Sequence, residues 1–238
     1  MRLLLVTLFA ILSGCANMEA MLPWVNAGAQ TASAMGYDGG DKVASAVRDT
    51  LDLSSTRAIT ALSADDGYAS NGFKVRFPAS IASMAATLRQ YGMGSYVDKV
   101  EGAMNTSVEK AAAEAAPVFK QTIANMEVKD ALGIVTGGST AATTYFKGQT
   151  ESTLRTKYQG IVTGELKKTG FYDQYKSMVS VYNNLPIADK PSVDIESFVV
   201  DQGLTALYDR MGQEEAAIRA NPVASGSALI AAVFGKKE

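Results

Sequence analysis

Histidine is absent from the 238 residues, and cysteine occurs once, at position 15. Without imidazole the chain has neither the commonest general base nor a Ser-His-Asp or Cys-His triad, and zinc sites built on histidine are excluded. A single thiol makes no intrachain disulfide, so the folded part must hold itself together by packing. Six prolines, eight phenylalanines and one tryptophan are few, and apolar positions recur at spacings of three and four instead of two. That pattern predicts a mostly α-helical chain. An excess of positive charge is lacking too: 22 basic against 24 acidic residues give a net −2. A nucleic-acid partner, which needs a clustered basic face, is therefore not expected.

The sequence does contain a leader. Arg2 precedes an apolar run from Leu3 to Leu12 that is too short to span a bilayer, and small Ser13 and Gly14 expose the backbone before Cys15. Leu12-Ser13-Gly14-Cys15 resembles the lipobox of bacterial lipoproteins. The resemblance implies a diacylated Cys15 thiol, cleavage just before it, and acylation of the new amine. Each buried methylene contributes about 0.8 kcal/mol, so three chains anchor where one binds only reversibly. The alternative is an ordinary secretory signal cut near Ala16 or Ala20. Ala16, in place of the Asp that resembles an inner-membrane retention signal, points to an outer-membrane lipid anchor with the folded domain in the periplasm.

Four segments follow from this: a signal peptide over 1–14, a lipidated N-terminus and flexible tether over 15–40, one all-α domain over 41–235, and a frayed tail over 236–238. The tether is small and polar, with Pro23, Gly28, Gly36 and Gly39-Gly40. Trp24 either sits at the lipid headgroups or docks on the domain. The rest, 47% hydrophobic over the whole chain, is enough for a single multi-helix globular core.

Within the domain, Asp41 caps a helix that runs to Leu62 and stops at Asp66-Gly67, and a polar loop extends to Arg76. A second helix starts at Pro78 and ends at Gly92 or Gly94. The longest helix carries Val97, Val100, Met104, Val108, Ala111 and Ala115 on one side, until Pro117 kinks or restarts it. A short helix spans Val128 to Val135. Ser139 caps the next, with Tyr145 and Phe146, and Thr150 opens another that ends at Gly170. After a Tyr-rich helix and the break at Asn183 to Pro186, a helix from about Asp194 to Ala220 buries Leu204, Leu207, Tyr208, Met211 and Ile218. Glu215 and Arg219 pair on its exposed flank. A final helix carries Leu229, Ile230, Val233 and Phe234.

Thr136 to Lys147 (TGGSTAATTYFK), with Glu101, Met104-Asn105, Asp130-Ala131, Glu214-Glu215, Ile218-Arg219, Asn221-Pro222 and Val233-Phe234-Gly235, resembles the bacterial domain-of-unknown-function family 4197 from about Asp41 to Gly235. The resemblance implies a secreted or lipid-anchored Gram-negative protein with an all-helical domain, and no established activity, substrate or cofactor.

Three constellations are candidate sites. Gly137-Gly138-Ser139-Thr140, with Lys147 two turns on, would present free N–H groups at a helix start to a phosphate or carboxylate; the plainer reading is a helix stop followed by a cap. Asp98, Glu101, Asn105 and Glu109 stack along the long helix, either as cation or acid-base ligands or as a solvated flank. Tyr145, Tyr158, Tyr172, Tyr175, Tyr182 and Tyr208 either line a pocket or pack helix seams. No catalytic residue, metal site or cofactor is assigned. The function expected is binding of an envelope partner or an amphipathic small molecule. The alternatives are a hydrolase or lyase using Glu101 and Glu109 or Tyr145 with Lys147, and a structural role in envelope stability.

Overall fold

The computed structural model describes residues 39–129, 131–185 and 194–235. Cys15, the tether up to residue 38, Trp24, Asp130, Pro186, Pro191 and the 236–238 tail lie outside the described residues. Among those described there are nine α-helices and no strand.

Four long helices build the core: α1 (Gly39–Leu62), α4 (Gly94–Ala124), α6 (Ala141–Lys168) and α8 (Ile195–Ala220). They close a ring in which α1 and α6 each pack against both α4 and α8. Neighbours run antiparallel. Arg48 at the start of α1 reaches Met126 beyond the end of α4, Ser107 meets Thr169, and the backbone of Thr143 meets Glu215. This is the up-down-up-down arrangement of a four-helix bundle. The shorter helices α2 (Gly67–Ser70), α3 (Ala79–Gln90), α5 (Ala131–Thr136), α7 (Phe171–Asn183) and α9 (Ala228–Phe234) cover its outside, and a 3-10 turn over Pro222–Ser225 leads into α9.

The expected α4 stripe is inside. Val97, Val100, Met104, Val108, Ala111 and Ala115 are all buried, and the small alanines let the neighbouring helices approach closely. At the bundle centre Phe119, Phe146 and Tyr208 form a triangle with centroids 6.0 to 6.2 Å apart. Burying a side chain of this size contributes roughly 1.5–3 kcal/mol. Further along the bundle Tyr158 and Val108 press on Gly203, where an added Cβ would lie 2.8 Å from the Tyr158 hydroxyl and 3.0 Å from Val108 Cγ1.

Several boundaries differ from the sequence reading. α1 begins at Gly39, so Asp41 lies in its first turn and is not its cap. The loop to Arg76 contains α2, which puts Tyr68 wholly inside; its hydroxyl donates to Gly203 O at 3.1 Å. Pro117 does not restart α4, which continues to Ala124. Ala113 and Pro117 are exposed, so water can serve the carbonyl that lacks a donor, while Phe119 and Ile123 hold the continuation in the core. The short helix starts at Ala131, not Val128. The two helices expected between Ser139 and Gly170 are one, because buried Thr150 turns its hydroxyl back to Phe146 O at 2.6 Å instead of capping.

Candidate functional site

The start of α6 is where the sequence placed an anion, and a carboxylate is indeed there, but the chain supplies it. Glu215 of α8, 0% exposed, accepts the Ala142 N–H at 2.9 Å and the Thr143 N–H at 2.7 Å. Arg219, one turn on, donates to Glu215 Oε1 at 2.8 Å and to the carbonyls of Ile134 and Val135 at 2.9 Å each. Its guanidinium also lies 4.6 Å from the Phe234 ring centroid. A buried ion pair therefore closes the N-terminus of α6 and the C-terminus of α5 together. The sequence reading put Glu215 and Arg219 on an exposed flank, which is wrong. Met211 and Ile218, four before and three after Glu215, are buried, so helical period alone turns Glu215 inward. Ser139 is not the cap either: Thr140 occupies that position and its side chain makes no capping bond. Gly137 to Thr140 are exposed.

Just beyond this closure lies a cleft of about 550 Å³ between α6 and α8. Thr140, Thr143, Thr144 and Lys147 line it from α6, at helical spacings that share one face. Tyr208, Asp209, Gly212, Gln213 and Ala216 face them from α8, and Phe73 comes from the loop after α2. Gly212 lets the helices meet at one end, since a Cβ there would be 3.3 Å from Thr140 Cγ2. Lys147 Nζ sits 5.4 Å from the Tyr208 ring centroid and 3.9 Å from Glu151. Two lining residues, Thr143 and Tyr208, have hydroxyl oxygens that are sealed from solvent and make no well-formed hydrogen bond. Thr150 lies near the Tyr208 phenol, and with its own hydrogen given to Phe146 O its oxygen remains an acceptor for the phenol. Burial pushes the Tyr208 pKa up to about 12, against an opposing pull from the Thr150 hydroxyl and with a further rise from Glu151. The phenol is thus a neutral donor at physiological pH. Sequence reasoning found Thr140 and Lys147 here but missed Phe73, Asp209 and Gln213, which only the bundle brings opposite them.

The acidic stripe also converges. Asp98, Glu101, Asn105 and Glu109 line one recess of about 270 Å³, together with Asp66 and Lys74. Asp66 is the one non-glycine at positive φ among the described residues (φ 57°). Arg89 bonds Asp98 at 2.7 Å and reaches Glu101 at 3.4 Å. Asn105 is engaged structurally: it accepts Val75 N–H at 2.9 Å and donates to Val75 O at 2.9 Å and Glu101 O at 2.8 Å, pinning the loop to α4. Glu109 keeps one buried oxygen without a partner. Its pKa is raised, first by burial, against the Tyr68 N–H, and further by Asp66 and Asp65. Among the described residues no group of three or more His, Cys, Asp or Glu is placed to hold a metal ion.

The tyrosines do not gather. Tyr145 lines a separate polar cleft with Gln149 and Lys157, and its hydroxyl donates to Glu127 O at 3.1 Å. Tyr158 is core, and Tyr172 and Tyr175 flank Phe171. Tyr145 and Lys147 therefore open onto different clefts.

A family model described as a protein of unknown function (DUF4197) matches residues 39–235, from the first residue of α1 to the residue after α9. No curated protein and no solved structure matches the chain.

Proposed function

The chain belongs to the DUF4197 family of proteins of unknown function, and from that premise we propose that it is a lipid-anchored, periplasm-facing binding protein that holds an amphipathic small molecule between α6 and α8. The observation that carries this reading is the α6–α8 cleft itself. Its volume falls within the roughly 300–1,000 Å³ of small-molecule sites. Phe73, Ala216 and the threonine methyls give it an apolar wall, and Lys147, Asp209 and Gln213 add a few polar groups to its lining. The Leu12-Ser13-Gly14-Cys15 tetrapeptide supports the membrane address. A tether there raises the local concentration of binding sites at the bilayer surface.

Two measurements test the two halves. Radiolabelled palmitate should mark the wild-type product and not Cys15→Ser; an unlabelled wild-type product that is still exported removes the anchor. Native mass spectrometry of the protein released from its host membrane should show a bound small molecule at one per chain. Thr144→Trp, which fills the cleft mouth from an exposed position, should abolish it. An identical adduct on that variant removes the cleft.

A second reading, carboxylate-assisted hydrolysis, is favoured by one observation: Glu101 and Glu109 share a recess in which the Glu109 carboxyl is shifted toward its protonated form. It ranks below the first because Arg89 occupies Asp98 and Glu101 and Asn105 is spent on Val75. Hydrolysis of cell-wall or ester substrates that is lost in Glu109→Gln with the fold intact would promote it.

A further inference from the structure

We propose that the end of the bundle where α1 begins lies on the bilayer surface, with Leu132, Val223 and the apolar helix α9 against the lipid. This rests on the membrane address proposed above and adds the face that meets the membrane.

The first argument is where the elements come together. Arg48 of α1 reaches Met126 just past α4, and Glu215 near the end of α8 closes the start of α6. The start of α1, the end of α4, the start of α6 and the end of α8 therefore share one end of the bundle. α5 and α9 both pack on α1. Arg219 ties them together there, donating to the Ile134 and Val135 carbonyls while its guanidinium lies 4.6 Å from the Phe234 ring centroid.

The second argument is apolar surface. Among the described residues the large hydrophobic side chains left exposed are Leu132, Val223, Tyr91 and Tyr96. Leu132, 67% exposed on α5, and Val223, 56% exposed in the 3-10 turn after α8, belong to this end. Tyr91 and Tyr96, where α3 gives way to the start of α4, belong to the other, and their hydroxyls suit water. α9 reads ALIAAVF and carries no polar side chain, yet it packs on α1 and the 3-10 turn outside the main apolar core, with Ile230 alone buried. A helix apolar on every side belongs in a core or against lipid, and this one is only partly enclosed by protein.

The third argument is the route of the chain. The segment from Cys15 enters the bundle at Gly39, at this same end. As a coil, a chain of the length of residues 16–38 spans roughly 25–30 Å r.m.s., whereas a helix as long as α4 extends about 45 Å. The near end thus meets an anchoring bilayer far more often than the end bearing Tyr91 and Tyr96. The lining of the α6–α8 cleft begins at Thr140, the residue before α6. Docking at this end brings that cleft to the lipid layer, where amphipathic molecules concentrate.

The protein purified from host membranes and reconstituted in phosphatidylethanolamine–phosphatidylglycerol vesicles tests this. Acylation or cleavage removes Cys15, the one native thiol, so an introduced cysteine takes a fluorophore alone. Ala224→Cys, exposed beside Val223, and Tyr91→Cys, exposed at the far end, carry the label. A nitroxide high on the lipid acyl chains should quench the Ala224 label about twofold or more and leave the Tyr91 label unchanged, since an apolar face sinks about 5–10 Å into the headgroup boundary. Adding Leu132→Glu and Val223→Glu, both at exposed positions where the fold is kept, should remove that quenching while the protein stays on the vesicles. In an acylated product, quenching that is equal at the two labels, absent from both or unchanged by the two glutamates overturns the docking face and leaves the anchor standing. The expected pattern in a product whose intact mass shows no acyl group removes the anchor and keeps the face. An unacylated product that does not bind vesicles removes both.

Discussion

Glu215→Gln is the sharpest perturbation of the structure, because it alters one atom in a fully enclosed network. The carboxylate accepts two backbone N–H bonds at the start of α6 and the Arg219 guanidinium. The amide has the same shape, but its NH2 must face a donor and its charge is gone. Arg219, with 11% of its side chain exposed, then keeps the Ile134 and Val135 carbonyls but loses its counterion. Breaking a buried pair from one side costs about 3–5 kcal/mol. For comparison, hydrogen bonds to a charged acceptor contribute about 1.5–3 kcal/mol each. Against a typical total of about 5–15 kcal/mol, this is a large fraction. At about 2–4 °C per kcal/mol for a domain of this size, the melting temperature should fall by roughly 6–20 °C. Urea titration followed by far-ultraviolet circular dichroism measures the free energy, and calorimetry the melting point. Glu151→Gln, removing an exposed partner of Lys147, is the control and should stay within about 0.5 kcal/mol. In Glu215→Ala the vacated N–H groups should accept free acetate, raising the melting temperature where equal chloride does not. A loss below about 1 kcal/mol in Glu215→Gln refutes the claim that this pair closes α5 and α6.

Thr143→Val removes a buried hydroxyl without a hydrogen-bond partner and should stabilise the protein by about 1 kcal/mol, about 2–4 °C in calorimetry. Glu109 holds its proton more tightly folded than unfolded; wild type therefore loses stability as pH climbs from its ordinary 4.5 through the raised folded value. Glu109→Gln, which does not titrate, should lose less, so its melting temperature relative to wild type should rise from about pH 4 to about pH 7; a flat difference counts against the shift. Gly203→Ala drives a methyl into Tyr158 and Val108 and should cost about 1–3 kcal/mol in urea titration, partly recovered by Tyr158→Phe.

The helical periodicity made α1, α4 and α8 legible, since α4 and α8 each carry an apolar stripe that must face a core, whereas α6 was split in two at Thr150. The stretches that misled were those where a polar residue serves the interior. Thr150 and Ser139 look like caps, yet Thr150 bonds back within its own helix and Ser139 stays exposed, because the cap of α6 arrives from a residue more than seventy positions away. Tyr68 was hidden by the polar residues around it. Of the cleft, one wall was visible as Thr140 and Lys147; the other depends on which helix lies opposite, a property of the bundle that no local spacing encodes.

The Glu215 closure also orders the life of the nascent chain. Synthesis delivers α5 and α6 long before α8, so for dozens of residues the start of α6 has no carboxylate on it and the end of α5 no guanidinium. Non-local pairing of this kind slows folding and leaves incomplete chains exposed to aggregation. A product that stops short of Arg219 lacks the latch that joins both helices.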